Sequence, residues 1–116
     1  MSDSVIFTLS KRFALRIIKL YTYLRDEKKE YVISRQIYRS GTSIGANISE
    51  SIYAQSDADY ISKLKIALKE GSETKYWLEL LFESGIISAE EFQSLDNDVK
   101  TIIGTTVNII NKKSGK

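Results

Sequence analysis

The sequence predicts an all-α fold, an up-down-up-down four-helix bundle, from three observations. None of the 116 residues is proline, so no stretch is barred from a helix interior. Apolar residues recur at steps of three and four in four separate segments. Short polar connections with capping residues or glycine separate those segments, which makes sequence neighbours antiparallel. The length suits one modest core, and residues 1–116 read as a single domain.

The first helix is expected over about residues 7–25, where Phe13, Ile17, Leu20, Tyr21 and Leu24 follow the rhythm of one buried face. The polar run "RDEKKE" closes it. The second is expected over about 31–54. It contains "RSGTSIGANISE", which reads either as a phosphate-cradling loop or as a thin length of helix. A phosphate loop needs a preceding strand and, in its commonest form, a Gly-Lys-Ser/Thr ending, whereas Gly45 is followed by Ala46 and Asn47. A helix instead gathers Ile33, Ile37, Ile44, Ile48 and Ile52 within about 100° of arc. The helical reading is favoured, and it requires a return for Gly41 and Gly45, each of which lowers propensity by about 1 kcal/mol. Close approach of another helix backbone supplies one.

The third helix is expected over about 57–84, capped by Ser56, with Asp57 and Asp59 in its first turn and Gly85 after its end. Its inner face reads Ile61, Leu64, Leu68, Gly71, Leu78 and Phe82, and a second apolar patch of Ile66, Trp77, Leu80 and Leu81 lies nearly opposite. The fourth is expected over about 89–111. It opens with the capping box Ser88 to Glu91, and Phe92, Leu95, Val99, Ile102, Thr106 and Ile109 form a coiled-coil-like seam. "TIIGTTVNII" is β-branched enough to suggest a strand, but the cap and the sustained heptad spacing favour helix. A disordered tail is expected over 112–116.

Composition removes several chemistries. With no cysteine and no histidine there is no disulfide, no thiolate or Ser-His-Asp nucleophile, and no His- or Cys-ligated metal, so neither metal nor cofactor is expected. No secretory apolar core opens the chain and no segment approaches the length that spans a bilayer, so a cytoplasmic protein without membrane attachment is expected. Formal charge is only +2, but residues 1–30 carry seven basic and four acidic side chains, against four and six in residues 57–87.

Arg39, Ser43, Asn47, Ile48 and Glu50, followed by "DYISKLKIALKEGSETKYWLELL", resemble the 23S rRNA intervening-sequence family of four-helix-bundle proteins, over a span from about Phe13 to Ile87. Where many members carry proline, this chain has Gly45. The resemblance implies a small bacterial protein that assembles into a ring of five, with no established enzymatic activity. Some members are encoded inside insertions in 23S rRNA genes, and distant relatives are accessory proteins of diversity-generating retroelements that bind RNA and a reverse transcriptase.

Three constellations carry the functional readings. Arg39, Ser43, Asn47 and Glu50 lie on one stripe, read either as a polar ligand site or as a hydrogen-bonded ladder facing another helix, with Arg39 paired to Glu70 or Glu73. Glu70 and Glu73 also suggest a general acid and base, an idea with no histidine, cysteine or metal-ligand set to support it. The patch of Ile66, Trp77, Leu80 and Leu81 reads as a subunit contact in preference to a small-molecule pocket. Arg12, Arg16 and Lys19 fall within about 60° on the first helix, either a solvated face or, repeated around a ring, a multivalent nucleic-acid surface. The expectation is a non-enzymatic homo-oligomer, pentameric by resemblance, that binds RNA or a ribonucleoprotein partner. The alternative is a protein-protein assembly scaffold that binds no nucleic acid.

Overall fold

A computed structural model describes residues 2–115, with side chains from Val5 onward. Four helices follow in order: α1 (Ser2–Asp26), α2 (Ile33–Ser51), α3 (Asp57–Glu83) and α4 (Ala89–Lys113). Each packs on its neighbour in the chain, and α4 closes back on α1. The α2–α3 contact is the most extensive and the α1–α4 contact the least. The result is the antiparallel four-helix bundle that the apolar periodicity predicts, 45 × 21 × 19 Å in extent.

Helix boundaries differ from expectation where local chemistry intervenes. α1 starts earlier because Ile6 and Ser10 continue its buried stripe two turns and one turn before Phe13. α2 starts later and ends sooner than 31–54. At its start the Glu30 carboxylate accepts from the backbone N–H groups of Val32 (3.2 Å), Ile33 (3.0 Å) and Ser34 (2.7 Å), doing the work of an N-cap side chain. At its end Ile52, Tyr53 and Ala54 donate to the carbonyls three residues back, the tighter winding that closes many helices. Ile52 is therefore half exposed, and it does not join the core with the other isoleucines of α2.

α3 and α4 open as their caps predict, with Ser56 accepting from Asp59 N–H and the reciprocal Ser88–Glu91 box complete. α4 continues two residues beyond the expected end, through Lys112 and Lys113. Lys113 lies 3.5 Å from an Asp57 carboxylate oxygen and 5.3 Å from the centre of the Tyr60 ring, which ties this last turn to the start of α3. Of the expected disordered tail, 112–113 are thus helical, 114–115 form a turn, and Lys116 lies outside the described residues.

The core register of α3 runs Leu64, Ala67, Gly71, Thr74, Leu78, Leu81, an unbroken alternation of three and four. This corrects the expected inner face, since Phe82 sits at the rim, stacked on Phe92 with centroids 4.7 Å apart. Following the bulkiest side chains passes over Ala67 and Thr74, and takes Leu68 and Phe82 where Ala67 and Leu81 are the buried residues. Thr74 is fully buried because its hydroxyl shares a 2.9 Å hydrogen bond with buried Ser40 and donates to the Glu70 carbonyl at 2.8 Å.

"RSGTSIGANISE" lies wholly within α2 up to Glu50, so the loop reading is set aside. A Cβ on Gly41 would stand 2.8 Å from Ile17 Cγ1 and 3.0 Å from Cγ2, distances that require the fully buried isoleucine to move. Gly45 is less constrained, for its Cβ would meet Ser10 at 3.4 Å, an ordinary contact. Gly71 is tighter, 3.1 Å from Ile103.

Candidate nucleic-acid interface

From Ser4 to Arg25 the chain carries five basic side chains and no acidic one, and α1 displays most of them to solvent. Phe13, Ile17, Leu20 and Leu24 consume the inner face. Lys11, Arg12 and Lys19 stand on the outer face with Leu15, which is 54% exposed. Arg12 and Lys19 make no ion pair among the described residues.

Arg16 is different. Its guanidinium reaches across to α4, donating to the Asp98 carboxylate at 2.6 Å and to the Ser94 hydroxyl at 2.8 Å. It stands between two shallow grooves along the α1–α4 seam, one of about 380 Å³ beside Leu9, Arg12, Leu15 and Thr101, the other of about 330 Å³ beside Lys19, Tyr23, Glu91 and Leu95. The three cations expected to act together are thereby divided into one structural tie and two free charges. Sequence reasoning missed the acceptor, although Ser94 and Asp98 sit one turn apart on α4.

The polar stripe of α2 is also assembled differently from its sequence reading. Arg39 reaches both candidate partners on α3, hydrogen-bonding Glu73 and lying 3.4 Å from Glu70. Ser43 and Asn47 do not bridge helices: the Ser43 hydroxyl donates to the Arg39 carbonyl at 2.5 Å, and the Asn47 amide to the Ser43 carbonyl at 2.9 Å. Glu50 pairs with Lys63 on α3 at 3.1 Å. The ladder between α2 and α3 therefore has rungs at Arg39, Ser40 and Glu50.

Trp77 belongs to the same network, because its indole N–H donates to Glu73 at 3.0 Å. The Arg39 guanidinium, and then this indole, hold the Glu73 carboxyl below the usual glutamate range. The Glu73 carboxylate is thereby engaged by both Arg39 of α2 and Trp77 of its own helix.

The remaining patch on α3 is smaller than expected. Ile66 is 39% exposed and Trp77 and Leu80 are half-buried, but Leu81 has no exposed surface. Leu81 lies in the core of the chain's own bundle, one step along the heptad from Leu78, and offers no surface for a subunit contact.

One polar centre had no counterpart in the sequence reading. Asp96 is almost fully buried between α3 and α4, with Lys75 and Lys100 each 2.8 Å from its carboxylate. Burial pushes its carboxyl upward, and hydrogen bonds from Lys100 and Lys75 outweigh that, leaving it below the ordinary aspartate value. This accounts for Lys75, whose inward direction on α3 has no explanation in the sequence alone.

The fold and this surface define an antiparallel four-helix bundle whose first helix is basic, with no acidic residue from Ser4 to Arg25. Residues 2–108 match the 23S rRNA-intervening sequence protein family, and the chain belongs to that family. Among solved structures it is similar to a protein of unknown function from the S23 ribosomal protein family of Bacteroides thetaiotaomicron VPI-5482, with 52% identity, a TM-score of 0.95, and coverage of 96% of this chain and 99% of that one. No curated protein matches. No helix among the described residues is long and apolar enough to cross a membrane.

Proposed function

We propose that this protein is a non-enzymatic, cytoplasmic homo-oligomer that binds RNA or a ribonucleoprotein partner through the outer face of α1. The observation that carries the reading is the exposure of Arg12 and Lys19, without ionic partners among the described residues, on a helix with no acidic residue from Ser4 to Arg25. Two or three free cations per chain bind a polyanion weakly. Copies arranged around a symmetry axis multiply that contact, and the family resemblance implies five.

Arg16 supports the face without belonging to its free charge, so the test leaves it intact. Purified protein is titrated against a mixed RNA pool at increasing salt. Affinity falls with a slope of about 0.7 per phosphate neutralised on a single strand. The Arg12→Glu/Lys19→Glu pair removes binding and keeps the oligomer mass, since neither side chain is buried. A wild-type protein that binds no RNA at low salt overturns the reading and leaves the assembly scaffold. That second reading is favoured by the exposed apolar side chains Leu15 and Ile66, which a polyanion does not need.

A further inference from the structure

α1 and α2 share a second exposed strip, on the flank of α1 that faces α2 and not on the α4 flank beside which Arg12 and Lys19 stand. Tyr21 of α1 and Tyr38 of α2 meet there, ring centroids 4.9 Å apart and tilted by 58°. The Arg25 guanidinium lies 5.3 Å from the centre of the Tyr21 ring, held beside it by Asp26 at 2.7 and 3.2 Å. Tyr38 is 40% exposed. One turn before it on α2 stands Arg35, exposed and free of any ion pair among the described residues.

Two tyrosines would suffice to cover the seam between two helices, and apolar side chains would cover it better. The arrangement here goes further. Two aromatic rings and a guanidinium plane stand in contact, with an open ring at one edge and an uncompensated cation one turn away. A polynucleotide carries the complement of each part: flat π-faces for the ring and phosphates for the arginine.

We propose that Tyr38, backed by Tyr21 and Arg25 and flanked by Arg35, is a stacking platform for unpaired bases, so that the RNA bound by this protein is single-stranded. The proposal rests on the reading of α1 as an RNA-binding face and adds the class of RNA. Stacking accepts any base, so the site confers a preference for single strands and little preference for sequence.

Fluorescence anisotropy on the full chain with three labelled 12-mers separates the terms: oligouridine, the same ribose-phosphate chain without bases, and an RNA duplex. The wild type binds oligouridine about tenfold more tightly than the abasic chain. Tyr38→Ala abolishes that difference and leaves abasic binding unchanged, Tyr38→Phe retains it, and the Arg12→Glu/Lys19→Glu pair weakens both. Thermal melts by circular dichroism establish that each variant is folded. Equal wild-type affinity for oligouridine and the abasic chain, or a preference that survives Tyr38→Ala, overturns the platform and leaves RNA binding by α1 standing. Failure of the wild type to bind any of the three overturns both, and the strip is then a protein contact, where tyrosine and arginine are also enriched.

Discussion

α1 meets its two neighbours by opposite means. Towards α2 the contact is one of shape, where Gly41 lets the backbone of α2 come so near that a single Cβ would stand 2.8 Å from Ile17. Towards α4 the contact is thinner, flanked by grooves and crossed by the Arg16–Asp98 ion pair. Close packing yields nothing when salt or pH changes. A half-exposed ion pair yields readily, because water and counterions compete for both partners. The side of the bundle that carries the candidate RNA surface is thus also the side held by the more adjustable interaction.

The largest effect is expected where shape governs. Gly41→Leu forces a large side chain against a buried isoleucine and lowers stability by about 3 kcal/mol or more in urea titration. An unchanged midpoint would remove the distinction between the two seams. Combining Gly41→Ala with Ile17→Ala costs less than the two single changes added together, because Ile17→Ala removes the Cγ1 and Cγ2 that the new Cβ would meet.

Asp96 shows the ionic side of the comparison in its most buried form, between α4 and α3. Asp96→Asn lowers stability at neutral pH by about 2 kcal/mol by weakening the hydrogen bonds of two lysines. The folded carboxyl lies below the ordinary value of 3.8, so its contribution is complete above that value and disappears as pH falls through the still lower folded one. Acid titration of wild type and variant should therefore converge at low pH. A gap that stays constant throughout the acid titration would mean that the carboxylate is not the source.

Arg16→Ala and Arg39→Met test the exposed pairs, with side-chain exposures of 40% and 52% at the arginines. Each is expected to lower stability by under about 1 kcal/mol, and by less in high salt. A larger loss that salt does not reduce would show that the α1–α4 seam also depends on packing. Smallest of all is Gly45→Ala, which meets Ser10 at ordinary contact distance. It should leave the melting temperature unchanged or raise it slightly, as the helix propensity of alanine is about 1 kcal/mol better.

What the sequence disclosed follows the same division. Periodicity and caps are local signals, and they placed four helices, both serine caps and the isoleucine face of α2 as far as Ile48. The α3 register was lost at Ala67 and Thr74, because a small or polar residue at a core position carries no hydrophobic signal and is recognisable only by the partner it faces. Glu30 escaped notice for a related reason. It caps α2 from outside the helix, through a turn that needs a left-handed residue at Lys29 (φ 55°), and no common capping pattern announces it. The candidate interface was legible as charge on one helix, whereas the diversion of Arg16 depends on Asp98, more than eighty residues away in the chain. The tyrosine strip likewise appears only when α1 and α2 are side by side.

The order in which the helices neighbour one another also governs how the chain reaches this structure. Three of the four packing surfaces join segments adjacent in sequence, so most contacts form across short loops, and folding is expected in the microsecond to millisecond range typical of low contact order. Only the α1–α4 surface requires the closure of nearly the whole chain, with the entropy that entails. That surface is the thinnest of the four. A transition state built from the α1–α2–α3 hairpins accordingly leaves α1–α4 contacts to the unfolding limb, so that loosening this seam hastens unfolding and scarcely slows folding.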